Sequence, residues 1–100
     1  MEAIINQNGK QVTVTVTGRV DTISSPKFEQ ALTPLMDAEG IEVSVDCSGM
    51  EYISSSGLRI FLSLQKALTK NGGTLEILSL NDDIKEVFEM TGFSKIFRIK

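Results

Sequence analysis

Three serines stand in a row, Ser54-Ser55-Ser56, followed by Gly57, Leu58 and Arg59. A serine hydroxyl can cap a helix, attack a substrate once a base has activated it, or accept a phosphoryl group. The chain has no histidine. That removes histidine acid–base chemistry, a Ser-His-acid triad and histidine-containing metal sites. A lone cysteine, Cys47, also excludes a cysteine-rich zinc site. A serine nucleophile would then need a lysine, and the nearest, Lys66 and Lys70, lie more than two turns down the following helix at ~3.6 residues per turn. The enzyme reading is therefore set aside. Capping and phosphoryl acceptance remain, and capping alone does not explain three adjacent hydroxyls beside a glycine with no side chain to cover them.

The elements around the serines say how they are held. Ile41–Val45 alternates apolar and polar residues, which predicts a short strand ending at Asp46. From about Ser56 to Lys70 the spacing predicts a helix whose polar wedge is Arg59, Ser63, Lys66 and Lys70. Its remaining arc, carrying Leu58, Ile60, Phe61, Leu62, Leu64, Ala67 and Leu68, covers roughly 220° at ~100° per residue. Such an arc fits a helix buried centrally by the sheet and neighbouring helices. The other reading leaves the end near Leu58 and Ile60 open to a partner.

Upstream, Ala3–Gln7 and Gln11–Thr17 flank Asn8-Gly9, the favoured dipeptide of a type I′ hairpin turn. In the second arm Val12, Val14 and Val16 face one way and Thr13, Thr15 and Thr17 the other. Gly18–Thr22 reads as a connector. Ser25 as N-cap and Pro26 at the first helical position open a helix with the stripe Phe28, Ala31, Leu32, Leu35 and Met36. Pro34 must kink that helix or end its regular part, and Gly40 is the expected C-cap. Asn71-Gly72-Gly73 stops the second helix, and Thr74–Ser79 reads as a strand. Asn81 caps a third helix buried through Ile84, Val87 and Phe88. Thr91-Gly92-Phe93 reads as a Schellman ending with Phe93 folding back toward Phe88, and Ile96–Ile99 as a last strand. The order β-β-α-β-α-β-α-β predicts an α/β fold. Its mixed, mostly parallel sheet has about five strands and starts with a hairpin, and its helices lie mainly on one face.

Bulk properties agree with a single domain over residues 1–100. Ten basic against thirteen acidic residues leave a net charge of −3, not the basic surface of a nucleic-acid binder. No apolar run is long enough to span a bilayer, and Met1-Glu2-Ala3-Ile4 does not resemble a secretory signal. The lone cysteine fits a reducing cytoplasm. Nothing points to a cofactor or demands an oligomer, so a monomer is the expectation. Cys47 reads as a structural thiol and Asp21 as a turn residue.

A strand ending in Asp46, then Tyr52-Ile53-Ser54-Ser55-Ser56-Gly57-Leu58-Arg59 opening a helix, resembles the signature of the STAS domain. This is the domain shared by sulfate transporters and anti-sigma factor antagonists. Gly18-Arg19-Val20-Asp21 resembles the family's Gly-x-(Leu/Val)-Asp segment, and Gly72-Gly73 and Val87–Phe93 fit as well. The resemblance implies a bacterial anti-sigma factor antagonist working by partner switching. The unmodified protein binds an anti-sigma factor that is also a GHKL-type serine kinase. Phosphorylation at the start of the second helix releases it, and a phosphoserine phosphatase resets it. Set against the family's Asp-Ser-(Ser/Thr/Ala)-Gly-Leu, the modified residue falls on Ser55, with Ser54 the runner-up because it replaces the common acid. The implied contact surface is Asp21, Ser54, Ser55, Ser56, Gly57, Leu58 and Arg59. Other domains with this resemblance are constitutive subunits, including in lipid-transport assemblies, or ligand-binding regulators. That is the alternative without a phosphoswitch.

Overall fold

A computed structural model describes residues 1–100. Five strands form one sheet in the order β1-β2-β3-β4-β5: β1 Glu2–Asn8, β2 Gln11–Val20, β3 Glu42–Ile53, β4 Thr74–Leu78 and β5 Arg98–Ile99. The β1–β2 pair is antiparallel and every later pair parallel. Helices α1 (Ser25–Met36), α2 (Ser55–Lys70) and α3 (Asp82–Met90) make the crossovers, and a 3-10 turn at Phe93–Lys95 leads into β5. None of the helices is long and apolar enough to cross a membrane.

The expected alternation along β2 is realised. Val12, Val14 and Val16 are fully buried beneath the helices, while Thr13 and Thr17 are exposed on the opposite face. The core is centred on Phe61 of α2, whose ring meets Phe28 of α1 at 5.4 Å, Phe88 of α3 at 6.1 Å and Phe97 at 6.3 Å between centroids. The wide apolar arc of α2 is thus explained by contacts on three sides. Leu58 and Ile60 are buried along with Phe61, Leu64 and Leu68, so that end of the arc is not open to a partner. On the uncovered face, Ser44 Oγ donates to Glu76 Oε1 at 2.9 Å and Lys100 pairs with Glu76 Oε2 at 3.1 Å. These donors hold the Glu76 carboxyl below the usual range, Lys100 most and Ser44 next.

Several boundaries differ from the sequence reading. Asn8 pairs with Gln11, so the hairpin turn is Gly9-Lys10 rather than Asn8-Gly9. Gly9 has φ +64° while Lys10 does not have a positive φ, whereas a type I′ turn needs positive φ at both central positions. The α1 cap is Ser24, one residue early, and the helix runs through Pro34 to end at Met36 with Asp37, not Gly40, as its C-cap. Gly40 instead lies in the connector, donating its N–H to Asn71 O at 2.9 Å.

The largest difference is that β2 and β3 continue through stretches read as connector. Thr15 pairs with Asp46 but Thr17 with Gly49, and Gly18 pairs with Met50 but Arg19 with Tyr52. At each step β3 carries one extra residue, a β-bulge. Buried residues along β3 therefore fall at Val43, Val45 and Cys47, then at Met50 and Ile53. Strand β4 stops opposite Asp46. Beyond it Asn81 Nδ2 donates to Met50 O at 3.2 Å, partly replacing the missing neighbour. Phe93 does fold back on Phe88, at 6.4 Å, while β5 is shorter than expected.

Candidate functional site

The extended β2 and β3 end side by side at Val20 and Ile53, and each turns directly into a helix. The backbone N–H of Ser54 donates to Val20 O at 2.8 Å, tying the two exits together. Ser54 has extended backbone angles, and its hydroxyl accepts from the N–H of Gly57 at 3.2 Å, capping α2. Only 9% exposed, it is committed to that cap.

Ser55, the first residue of α2, is exposed, and no side chain or backbone group hydrogen-bonds its hydroxyl. Its hydroxyl is thus free to meet another molecule. Ser56 is half-buried and faces a groove of about 310 Å³ between α1 and α2. Thr22, Ser25, Glu29, Arg59 and Ser63 also line it. Arg59 is exposed, and its guanidinium makes no ion pair.

Gly57 and Leu58 sit in the core, so they position the site from behind rather than line its surface. A Cβ on Gly57 would come within 2.8 Å of both Ile53 Cγ1 and Val20 Cγ1. The glycine lets the helix start rest directly on the two strand ends.

The companion turn after β2 is wired internally. Asp21 Oδ1 accepts from the N–H of Ile23 at 3.1 Å and of Ser24 at 2.9 Å, and lies 3.0 Å from Ser24 Oγ. Ser24 Oγ accepts from the Asp21 N–H at 2.9 Å, and its one proton is shared between Arg19 O at 2.8 Å and Asp21 Oδ1. Ser25 Oγ donates to Asp21 O at 2.6 Å. The Ser24 donors, backbone first, hold the Asp21 carboxyl below its usual range, helped by the Ile23 N–H and the charge of Arg19. Asp21 is thus the turn residue its position suggested, next to the serine motif.

Two further residues belong to this rim. Ile23, at the tip of the Asp21 turn, is 90% exposed. Tyr52 is exposed at the end of β3 with the Arg19 guanidinium 4.3 Å from its ring centre. Ile23 was not singled out from the sequence, where its one signal is an apolar residue inside an otherwise polar turn. Cys47 lies inside β3, fully buried, its thiol pushed up to about 12 by desolvation and then by Asp46. It is an inert core residue.

A strand running into a Ser-Ser-Ser-Gly helix start, on a sheet covered by helices on one face, points to a class that the whole chain fits. The STAS domain model matches residues 2–100, and the protein belongs to the STAS domain family. Among its relatives is the anti-sigma-B factor antagonist of Listeria monocytogenes, 33% identical over 89 residues, which span 89% of this chain and 78% of that protein. The same fold occurs in an anti-sigma factor antagonist from Mycobacterium paratuberculosis, with a TM-score of 0.87 and 22% identity over 98% of this chain and 83% of that one. It also occurs in the Bacillus protein SpoIIAA in its phosphorylated form, with a TM-score of 0.76 and 13% identity over 99% of this chain and 91% of that one.

Proposed function

We propose that this domain is a cytoplasmic anti-sigma factor antagonist whose binding is switched at Ser55. Unphosphorylated, it binds an anti-sigma factor that is also a GHKL-type serine kinase. Phosphorylated on Ser55, it lets go, and a phosphoserine phosphatase returns it to the binding form. The observation that carries this reading is the contrast between two adjacent hydroxyls. Ser54 is buried in a cap, while Ser55 is exposed and unbonded. A kinase needs a hydroxyl it can reach, which favours Ser55 over Ser54. The family's common acid at the Ser54 position would cap the same N–H, since serine and aspartate are both good N-caps. Ser54 therefore preserves the turn.

The physical basis of release lies at the surface, not in the fold. A phosphoserine carries about −1.5 to −2 charges at neutral pH. At the first residue of α2 the helix dipole and nearby backbone N–H groups tolerate that charge. Within a contact formed by Ile23, Tyr52 and the α2 start, the dianion meets desolvation and repulsion instead. Each ~1.4 kcal/mol of that cost weakens binding about tenfold.

The experiment combines phosphorylation with binding. Incubation with the cognate kinase and ATP should place phosphate on Ser55, read by mass spectrometry, and Ser55→Ala should abolish it while keeping the partner bound. Ser55→Asp should weaken binding by ~10-fold or more. Absence of phosphate from Ser54, Ser55 and Ser56 would sink the switch. A complex indifferent to Ser55→Asp would point to a constitutive subunit.

A further inference from the structure

The sheet has two edges, and they are treated differently. β5 is only two residues long and is flanked by charge, with Arg98 in the strand and Lys100 just beyond it paired to Glu76. Short length and lysine are standard ways of keeping an edge from pairing. β1 has neither. It runs seven residues, Glu2–Asn8, in unbroken register with β2, without proline or bulge. From Ala3 to Gly9 it carries no charge, and it leaves Ile4 57% and Ile5 37% exposed. An open, regular, neutral edge with exposed isoleucines is a template for another strand.

We propose that β1 is a self-association surface, on which a second copy of this chain pairs antiparallel, β1 to β1, about a twofold axis perpendicular to the sheet. Antiparallel pairing of identical strands is isologous, so one edge supplies both halves of the contact. The axis keeps each face on its own side, so residues of the same parity meet. Centred on Ile5, the pairing uses the whole strand: Ile5 meets Ile5 of the other copy, Ile4 meets Asn6, Ala3 meets Gln7 and Glu2 meets Asn8. Ile5 shares the face of its β2 partner Val14, which is the helix-covered side. The Ile5 pair therefore extends the apolar layer across the junction. Glu2, the strand's one charge, is placed beside an amide and toward the turn bearing Lys10, twice by symmetry.

Seven residues a side is well below the roughly 20–30 of a stable interface, so the dimer is weak and concentration-dependent. It would carry two Ser55 sites at opposite ends of one continuous sheet. It needs no assumption about the phosphoswitch.

Sedimentation velocity over a concentration series, with amide hydrogen exchange on the same samples, tests this. The wild type should sediment faster as concentration rises, with exchange slowing in β1 and unchanged in β5. Ile5→Lys, which sets two ammonium groups face to face across the axis, should abolish both effects. Asn6→Lys, at an exposed position, should weaken them with the unfolding midpoint unchanged, so loss of association is not loss of fold. A monomer at every concentration, or association that protects another surface or ignores both variants, overturns the proposal.

Discussion

The turn after β2 and the turn after β3 do the same structural task with similar residues, yet present different surfaces. Each takes a parallel strand into a helix with a serine as the cap residue. In the Asp21–Ser25 turn the polar side chains bond one another and the local backbone, and what reaches solvent at its tip is Ile23. In the Ser54–Gly57 turn one hydroxyl closes the cap and the next is left free. The first turn is a rigid apolar point; the second is an accessible hydroxyl. Side by side they present an exposed apolar side chain and an exposed hydroxyl at neighbouring strand ends. That division predicts which substitutions damage the fold and which alter only the surface.

The largest effect on stability should come from Gly57, because it holds the second turn against both strands. Gly57→Ala places a methyl 2.8 Å from Val20 and Ile53 side chains, and overpacking of this kind costs about 1–3 kcal/mol. Chemical denaturation should show a lowered midpoint with an unchanged slope. A wild-type midpoint would mean that α2 can back away from the strand ends.

Next come the adjacent serines. Ser54→Ala removes the cap and should cost about 1 kcal/mol, whereas Ser55→Ala, an exposed change touching no bond, should stay within about 0.5 kcal/mol of wild type. Equal losses at the two positions would collapse the distinction on which the assignment of Ser55 rests.

The first turn should show its wiring in pH dependence. The Asp21 carboxyl is held below the ordinary aspartate range by donors that favour the charged form. A depressed folded-state pKa contributes stability that is fully present above the unfolded value and is lost as pH falls through the folded one. Wild type should therefore exceed Asp21→Asn at neutral pH, and the gap should begin to narrow below about pH 3.8 and close in stronger acid, as pH falls through the lowered folded-state value. Ser54→Ala, at a group that does not titrate, should keep its deficit across the same range.

How much of this was visible in the chain follows from periodicity. Val12, Val14 and Val16 alternate without interruption, and the α2 stripe from Leu58 to Leu68 keeps helical spacing, so both elements were legible. The second halves of β2 and β3 were not. Bulges at the Thr15–Thr17 and Gly18–Arg19 steps shift the buried positions from Cys47 to Met50 to Ile53, a spacing of three that reads as neither strand nor helix. The serine motif drew attention as a group, but separating Ser54 from Ser55 depends on which is the last extended residue. A one-residue step at a helix start is below what spacing resolves. Ile23 escaped because a lone apolar residue in a turn has no period at all.

A further small effect should fall where the strands leading to the two turns touch at the surface. Arg19, at the end of β2, stacks over Tyr52, at the end of β3, and an exposed cation–π contact contributes about 0.5–1 kcal/mol. Arg19→Ala should cost no more than that, and Tyr52→Leu should cost a similar amount. In the double variant the losses should be less than additive, since each single change already removes the same contact. Full additivity would mean the stack is incidental and the two turns are joined by the strand pairing, the Ser54–Val20 backbone bond and the packing at Gly57 alone. A coupling of the expected size would add a side-chain tie between the strand ends that lead to Ile23 and Ser55.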